Sequence, residues 1–124
     1  MNMTAKKLLA MAALLASCAV SPLVLAHAHL LNQVPAANSQ VATPAELQLV
    51  FSEGIEVVFS KVSLTDAQGR EVPMDALSAA PGDKKTLLIR PAAPLVPGQY
   101  KVSWDVRSVD THKSSGTYSF TVGK

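Results

Sequence analysis

The chain has 124 residues, of which 48% are hydrophobic, 16% charged and 5% aromatic, and this length fits one domain. The formal net charge is +2, but Lys6 and Lys7 stand at the extreme N-terminus, and beyond residue 26 the basic and acidic side chains balance. Proteins that bind nucleic acids electrostatically, or that adsorb to anionic membranes, need a basic excess. The composition therefore argues against both classes.

The first 26 residues predict an export signal. The two lysines precede an apolar run over residues 8–26, which ends in Val24-Leu25-Ala26 with small residues at the −3 and −1 positions of a signal-peptidase site. The run is just long enough to span a bilayer as an anchor, but Pro22 interrupts it and no basic stop-transfer segment follows. We expect a cleaved signal peptide at 1–26 and a β-domain at 27–124, exported to a bacterial periplasm.

A lipoprotein is the minority alternative at this end of the chain. Leu15-Ala16-Ser17-Cys18 resembles a bacterial lipobox, and lipidation at Cys18 would leave His27 without a free amine. The apolar run before Cys18 is short, however, and a good cleavage site follows it. Since Cys18 is the only cysteine, a chain that begins at His27 has neither disulfides nor thiolate metal sites.

Period-two alternation of hydrophobic and polar residues dominates the chain after residue 45, and no segment has a convincing helical period. Prolines fall between the alternating runs, where their missing N–H costs no ladder hydrogen bond. Strands are predicted at 47–51, 62–64, 86–89, 100–106 and 118–122. Strands at such short spacing predict an all-β domain, either an antiparallel β-sandwich or a small barrel.

Aromatic residues give a finer indication of the topology. Residues 95–100 form a turn that leads into a strand whose first aromatic is Tyr100, a pattern similar to the tyrosine corner of Greek-key sandwiches. Trp104, on the same strand, is predicted to pack in the core.

The three histidines of the chain are His27, His29 and His112. Once the signal peptide is cleaved after Ala26, His27 offers its α-amine and its imidazole Nδ1, which together close a six-membered chelate ring on one metal ion. His112 would add a second imidazole, and Asp110 an oxygen, since residues two apart share a face in an extended segment. Such tetragonal N,O coordination suits Cu(II), which leads the divalent affinity order. Both nitrogens of His27 must lose protons to bind.

His29 offers a competing arrangement. A histidine at the third position of a free N-terminus binds Cu(II) or Ni(II) together with the amine and two deprotonated backbone amides. This arrangement uses the same amine, so the two modes exclude each other. The site built from His27 and His112 needs no amide deprotonation and is preferred near neutral pH, but which of His27 and His29 holds the metal with His112 stays open.

Five motifs, in order along the chain, resemble those of the periplasmic copper-resistance family CopC/PcoC. They are His27-Ala28-His29-Leu30 followed by Val34-Pro35-Ala36-Ala37-Asn38-Ser39, then Phe51-Ser52-Glu53, then Pro94 to Trp104, then Ser108-Val109-Asp110-Thr111-His112, and last Gly116-Thr117-Tyr118-Ser119-Phe120. Any one of them alone is weak, but five in the right order are specific. The resemblance covers essentially all of the chain after residue 26.

The resemblance implies a Greek-key antiparallel β-sandwich or barrel, immunoglobulin-like and in outline cupredoxin-like. It also implies one Cu(II) per chain, carried or buffered in the periplasm for copper homeostasis or resistance, with an inner-membrane copper transporter as recipient. The family's N-terminal histidine maps onto His27, and the acid and histidine of its loop map onto Asp110 and His112. The glutamate of its F-S-E motif maps onto Glu53, as a distant ligand or as a group that orients one.

One departure from the family is informative. Some members carry a methionine-rich segment that binds Cu(I), as soft thioethers should. After residue 26 this chain has a single methionine, Met74, and one thioether cannot build such a site. The sequence therefore predicts a protein specific for Cu(II), with Met74 as a core or surface filler.

Two other functions compete with a copper carrier. An N-terminal histidine with a second histidine resembles the copper site of oxidative polysaccharide-cleaving enzymes, but Asp110 would occupy a coordination position there, and few aromatics remain for a substrate face. No nucleophilic triad or carboxylate pair for hydrolysis stands out, so we expect no enzyme activity. A metal-free immunoglobulin-like interaction module is the third possibility.

Overall fold

The computed structural model describes residues 28–123, so the predicted signal peptide and His27 lie outside the described residues. Within that range the chain forms strands β1 Leu30–Val34, β2 Gln40–Val41, β3 Leu47–Phe51, β4 Lys61–Thr65, β5 Ser78–Ala80, β6 Asp83–Ile89, β7 Gly98–Arg107 and β8 Lys113–Val122. A 3-10 turn at Val57–Phe59 precedes β4. Among these residues no helix has the length and apolar character needed to cross a membrane.

The strands form two four-stranded sheets, in the orders β1-β3-β6-β5 and β2-β8-β7-β4. From β1 to β5 the chain changes sheet at every connection, which is the crossing pattern of Greek-key sandwiches. The all-β sandwich predicted from the alternation is confirmed. One pairing departs from the antiparallel expectation, since β2 runs parallel to β8. After β1 the chain crosses to the other sheet and runs along the edge of β8 in the direction of β8 itself.

All five predicted strands are present, and their inward positions form the core between the sheets. The buried core residues are Ala28, Leu47, Leu49, Phe51, Ile55, Leu64, Leu87, Ile89, Leu95, Tyr100, Val102, Val106, Tyr118, Phe120 and Val122. Strands β1, β2 and β5 were not predicted. They are short and carry weak alternation, since β1 exposes Leu31 and β5 consists of small residues.

The tyrosine corner is also confirmed. The hydroxyl of Tyr100 donates a hydrogen bond to the carbonyl oxygen of Val96 at 2.6 Å, and its ring stacks on Phe120 with centroids 5.8 Å apart. The side chain therefore fixes the turn that leads into β7 while its ring fills the core.

Trp104 is half-buried and packs against the core, as predicted. Its ring meets Phe51 edge-on at 6.3 Å between centroids and lies over Gly116, its partner across the β7–β8 ladder. A Cβ atom at Gly116 would lie 2.4 Å from Cζ2 of Trp104. Glycine at this position is what lets the indole lie flat on β8.

Gly116→Ala should destabilise the protein by about 1–3 kcal/mol, the range for an overpacked core, because the indole cannot keep its place beside a methyl group. Urea denaturation measures the loss, and near-UV circular dichroism of Trp104, the single tryptophan, reports the ring's displacement. Ser115→Ala, at the adjacent exposed position of β8, is the control, with an expected change under about 0.5 kcal/mol. Equal stability of the two variants would contradict the tight approach.

Tyr118 predicts a loss of stability in alkali. Burial raises the pKa of Tyr118 to about 12, and its hydroxyl has no hydrogen-bond partner within residues 28–123. An unfolded tyrosine ionises near pH 10, so this contribution to stability is complete below pH 10 and is lost as pH rises towards 12.

Between pH 8 and pH 11 the free energy of unfolding should therefore fall by about 1.4 kcal/mol more in the wild type than in Tyr118→Phe. At neutral pH the variant should be at least as stable, because it lacks the unpaired hydroxyl. Urea denaturation at both pH values tests this, and parallel losses in the two proteins would contradict it.

Candidate metal centre

Three segments meet at one end of the sandwich: the residues before β1, those after β3, and the loop between β7 and β8. The first two are tied by a pair of hydrogen bonds. The Ser52 N–H donates to the His29 carbonyl at 2.8 Å, and the His29 N–H donates to Ser52 Oγ at 2.9 Å. The start of β1 is thereby fixed beside the F-S-E motif.

The segment after β3 is also tied to the end of β7. The Val109 N–H donates to the carbonyl of Gly54, and the Glu56 N–H donates to that of Arg107, both at 2.8 Å. The hydroxyl of Ser60 adds a second link, since it donates to the Glu56 carbonyl at 2.7 Å and accepts from the Arg107 N–H at 2.9 Å. The two backbone bonds, from Val109 and Glu56, place the D-x-H loop next to the F-S-E motif.

The loop itself is a tight turn. The Thr111 N–H donates to the carbonyl of Ser108, and the Ser108 N–H donates to that of His112, both at 2.9 Å. Thr111 has a φ of +73°, a left-handed conformation that is an outlier for a β-branched residue. Such strain persists only where the surrounding structure enforces it.

Within the loop, the side chains of Asp110 and His112 face each other. The Nδ1 atom of His112 lies 3.1 Å from Oδ2 of Asp110. The other carboxylate oxygen, Oδ1, accepts a hydrogen bond from the Ser108 hydroxyl and one from the His112 N–H at 3.3 Å. The expected proximity of Asp110 and His112 is therefore present, but the reason given for it was wrong: the two side chains meet across a turn with Thr111 in the left-handed region and not along an extended segment.

The Asp110 carboxylate is held in its ionised form. The hydrogen bond from the Ser108 hydroxyl is the largest cause that keeps the pKa of Asp110 below its usual value; desolvation opposes it, and the hydrogen bonds from His112 lower the pKa further. The side chains of Asp110 and His112 are 37% and 44% exposed. The pair thus presents an anionic oxygen and an imidazole to solvent.

This donor set fits a divalent cation that prefers nitrogen and oxygen ligands. Two atoms bound about 2 Å from one ion at right angles lie about 2.8 Å apart, close to the separation of Nδ1 and Oδ2. The pair can therefore occupy neighbouring coordination positions. Alternatively, the carboxylate orients the imidazole through Nδ1 while Nε2 binds the ion. In both arrangements Asp110 and His112 would contribute to the same site.

The other predicted ligands among the described residues are His29 and Glu53. His29 and Glu53 are exposed at the same end of the molecule, and Glu53 adjoins Gly54, which bonds to the loop. Ala28 is buried in the core, so the chain leaves the described residues from a fixed point. Within residues 28–123 no three His, Cys, Asp or Glu side chains gather into a metal cluster.

Met74 lies away from this end of the sandwich. It forms a β-bridge with Pro91, just beyond β6, and packs partly buried against the core. This agrees with the filler role predicted for it.

Ser108 is the residue that the sequence analysis did not single out. It was part of a quoted motif, but a serine beside a polar loop carries no distinctive pattern. Only the fold shows that its side chain is fully buried and directed at Asp110.

Comparisons with known proteins identify relatives over most of the chain. The model of the CopC domain family matches residues 30–123. Protein YobA of Escherichia coli strain K12 is 42% identical over 123 residues, which cover 98% of this chain and 99% of that protein. Copper resistance protein C of Pseudomonas syringae pv. tomato is 43% identical over 108 residues, 83% of this chain and 86% of that one.

Among solved structures, the crystal structure of PcoC, a methionine-rich copper resistance protein from Escherichia coli, is similar with a TM-score of 0.71 and 39% sequence identity. The match covers 79% of this chain and 100% of PcoC. The motifs, the two-sheet fold and these relatives agree, and the chain belongs to the CopC domain family of copper resistance proteins.

Proposed function

We propose that this protein is a periplasmic Cu(II) carrier or buffer that binds one copper ion per chain. The observation that carries the proposal is the pairing of Asp110 and His112, an anionic oxygen and an imidazole nitrogen 3.1 Å apart at the exposed end of the sandwich. Relatives named for copper resistance support copper as the ion. Nitrogen and oxygen donors favour Cu(II) over Cu(I).

The remaining ligands in this proposal are the α-amine and Nδ1 of His27, made available by cleavage after Ala26. Support comes from Ala28, which is buried in the core, and from His29, whose backbone is bonded to Ser52. These two residues are fixed at the same end as the D-x-H loop, which supports His27 as the source of the remaining ligands. Three nitrogens and one carboxylate oxygen then suit a tetragonal Cu(II) ion.

The competing His29 arrangement is disfavoured by the hydrogen bonding of the backbone. That arrangement needs the amide nitrogens of Ala28 and His29 deprotonated and bound to the metal. The His29 N–H instead donates to Ser52 Oγ at 2.9 Å, so the amide would have to leave its partner as well as lose its proton. His27 with His112 remains the proposed pair, with Glu53 as an outer group near the site.

The methionine content supports a preference for Cu(II). PcoC is named as methionine-rich, whereas this chain has only Met74 after residue 26. Thioethers are the soft ligands that Cu(I) prefers, and a single one cannot enclose an ion.

A carrier role, rather than an enzyme role, is favoured by the composition of the site. Asp110 fills a position that an oxidative copper enzyme would leave open to its co-substrate. The exposure of the pair also lets a recipient reach the ion, and a copper transporter of the inner membrane is the recipient we propose.

His112→Ala should weaken Cu(II) binding by at least about 100-fold, because loss of a ligand costs more than loss of the groups that orient one. Competition with a chelator measures the affinity, and EPR reports the change in nitrogen ligation. The matched control is His29→Ala, which is expected to bind as the wild type does. Strong loss in His29→Ala with none in His112→Ala would contradict the proposed pair and favour the amide-bound arrangement.

A single glycine added before His27 should weaken Cu(II) binding at least about tenfold, because it moves the amine out of the six-membered chelate ring while leaving the imidazole in place. The comparison is with exported protein whose start at His27 has been checked by intact mass. Thermal unfolding of both forms serves as the control for folding. Equal affinities would remove the amine from the ligand set.

A further inference from the structure

We propose that Ser108 is the positioning residue of the copper site, acting through Asp110. This inference rests on the proposed function, since it concerns the same loop, but it assigns a role to a side chain outside the ligand set. The observation behind it is a buried hydroxyl whose hydrogen bond goes to the carboxylate of a proposed ligand.

The burial of Ser108 calls for an explanation. Its relative exposure is 0%, and within residues 28–123 it is the one polar residue that is buried together with the core side chains. A hydroxyl removed from water needs a partner, and this one donates to Oδ1 of Asp110, with the His112 carbonyl 3.3 Å away. The hydroxyl has one hydrogen, and the charged carboxylate is the stronger acceptor.

The two oxygens of Asp110 have separate tasks. Oδ1 is held from the protein side by the Ser108 hydroxyl and by the His112 N–H. Oδ2 faces Nδ1 of His112. An exposed aspartate would otherwise rotate freely towards water, so the hydrogen bond from Ser108, supported by the longer one from the His112 N–H, keeps Oδ2 directed at the imidazole before any metal arrives.

The strained backbone of Thr111 fits the same role. Its φ of +73° turns the chain so that the side chains of its two neighbours, Asp110 and His112, face each other. Two of the bonds that enforce this conformation involve Ser108, whose carbonyl accepts from the Thr111 N–H and whose N–H donates to the His112 carbonyl. Ser108 thus holds the loop with its backbone and the ligand with its side chain.

A neighbouring serine provides the contrast. The hydroxyl of Ser60 bonds only backbone groups, those of Glu56 and Arg107, at the same junction of the two sheets. Removing the Ser60 hydroxyl weakens the framework without touching Asp110. Removing the Ser108 hydroxyl releases the Asp110 carboxylate, while the backbone hydrogen bonds of the loop remain.

The test measures Cu(II) affinity and saturated EPR spectra for Ser108→Ala, Ser60→Ala, Asp110→Ala, and the double variant Ser108→Ala/Asp110→Ala, in mature protein. Ser108→Ala should bind Cu(II) about 10- to 100-fold more weakly than the wild type, the usual effect of losing a group that orients a ligand. Its EPR hyperfine splitting should also shift. Ser60→Ala should lower the melting temperature but change the affinity less than about twofold.

The double variant decides whether Ser108 acts through Asp110. In the Asp110→Ala background, Ser108→Ala should have almost no further effect on affinity. Wild-type affinity in Ser108→Ala, an equal loss in Ser60→Ala, or a full additional loss in the double variant would each overturn the positioning role.

The wild type and His112→Ala are measured in the same series, which separates the two proposals. If these two bind Cu(II) equally, the copper site itself is wrong, and the role of Ser108 falls with it. If they differ as expected and Ser108→Ala matches the wild type, only the positioning role fails.

Discussion

The segment after β3 joins the two sheets, and the candidate site depends on that junction. The Ile55 N–H donates to the carbonyl of Lys84 in the first sheet, while the next N–H, that of Glu56, donates to Arg107 in the second. Ile55 itself is buried in the core. Because one short segment is bonded to both sheets, the loop that follows β7 cannot move independently of β1 and β3.

Rigidity at this end compensates for a weakness of loop sites. Ligands carried by loops tend to be less precisely placed than ligands on strands. Here the loop is only five residues long, its ends pair within the β7–β8 ladder, and Val109 is bonded to Gly54. The candidate site therefore lies on a loop that is held almost as firmly as a strand. The same hydrogen bonds help to maintain the unfavourable conformation of Thr111.

The sequence predicted the fold well because period two is a direct consequence of a sheet with one buried face. It also predicted the corner at Tyr100, since a local turn and one hydrogen bond to Val96 define that motif. The spacing of Asp110 and His112 was likewise visible. What the sequence could not show were contacts made by distant segments: the parallel pairing of β2, and the burial of Ser108, which depends on the junction with Ile55.

The proposed site has two halves with different origins. Folding supplies Asp110 and His112, already facing each other without a metal. In the proposed site proteolysis would supply the other half, because in the uncleaved chain the backbone nitrogen of His27 is a peptide amide, which does not bind Cu(II) near neutral pH without losing a proton. The proposal therefore makes full affinity depend on both folding and export. Under this proposal a chain that retained its leader would carry only the Asp110–His112 half of the site, and tight copper binding would be confined to the compartment in which the leader is removed.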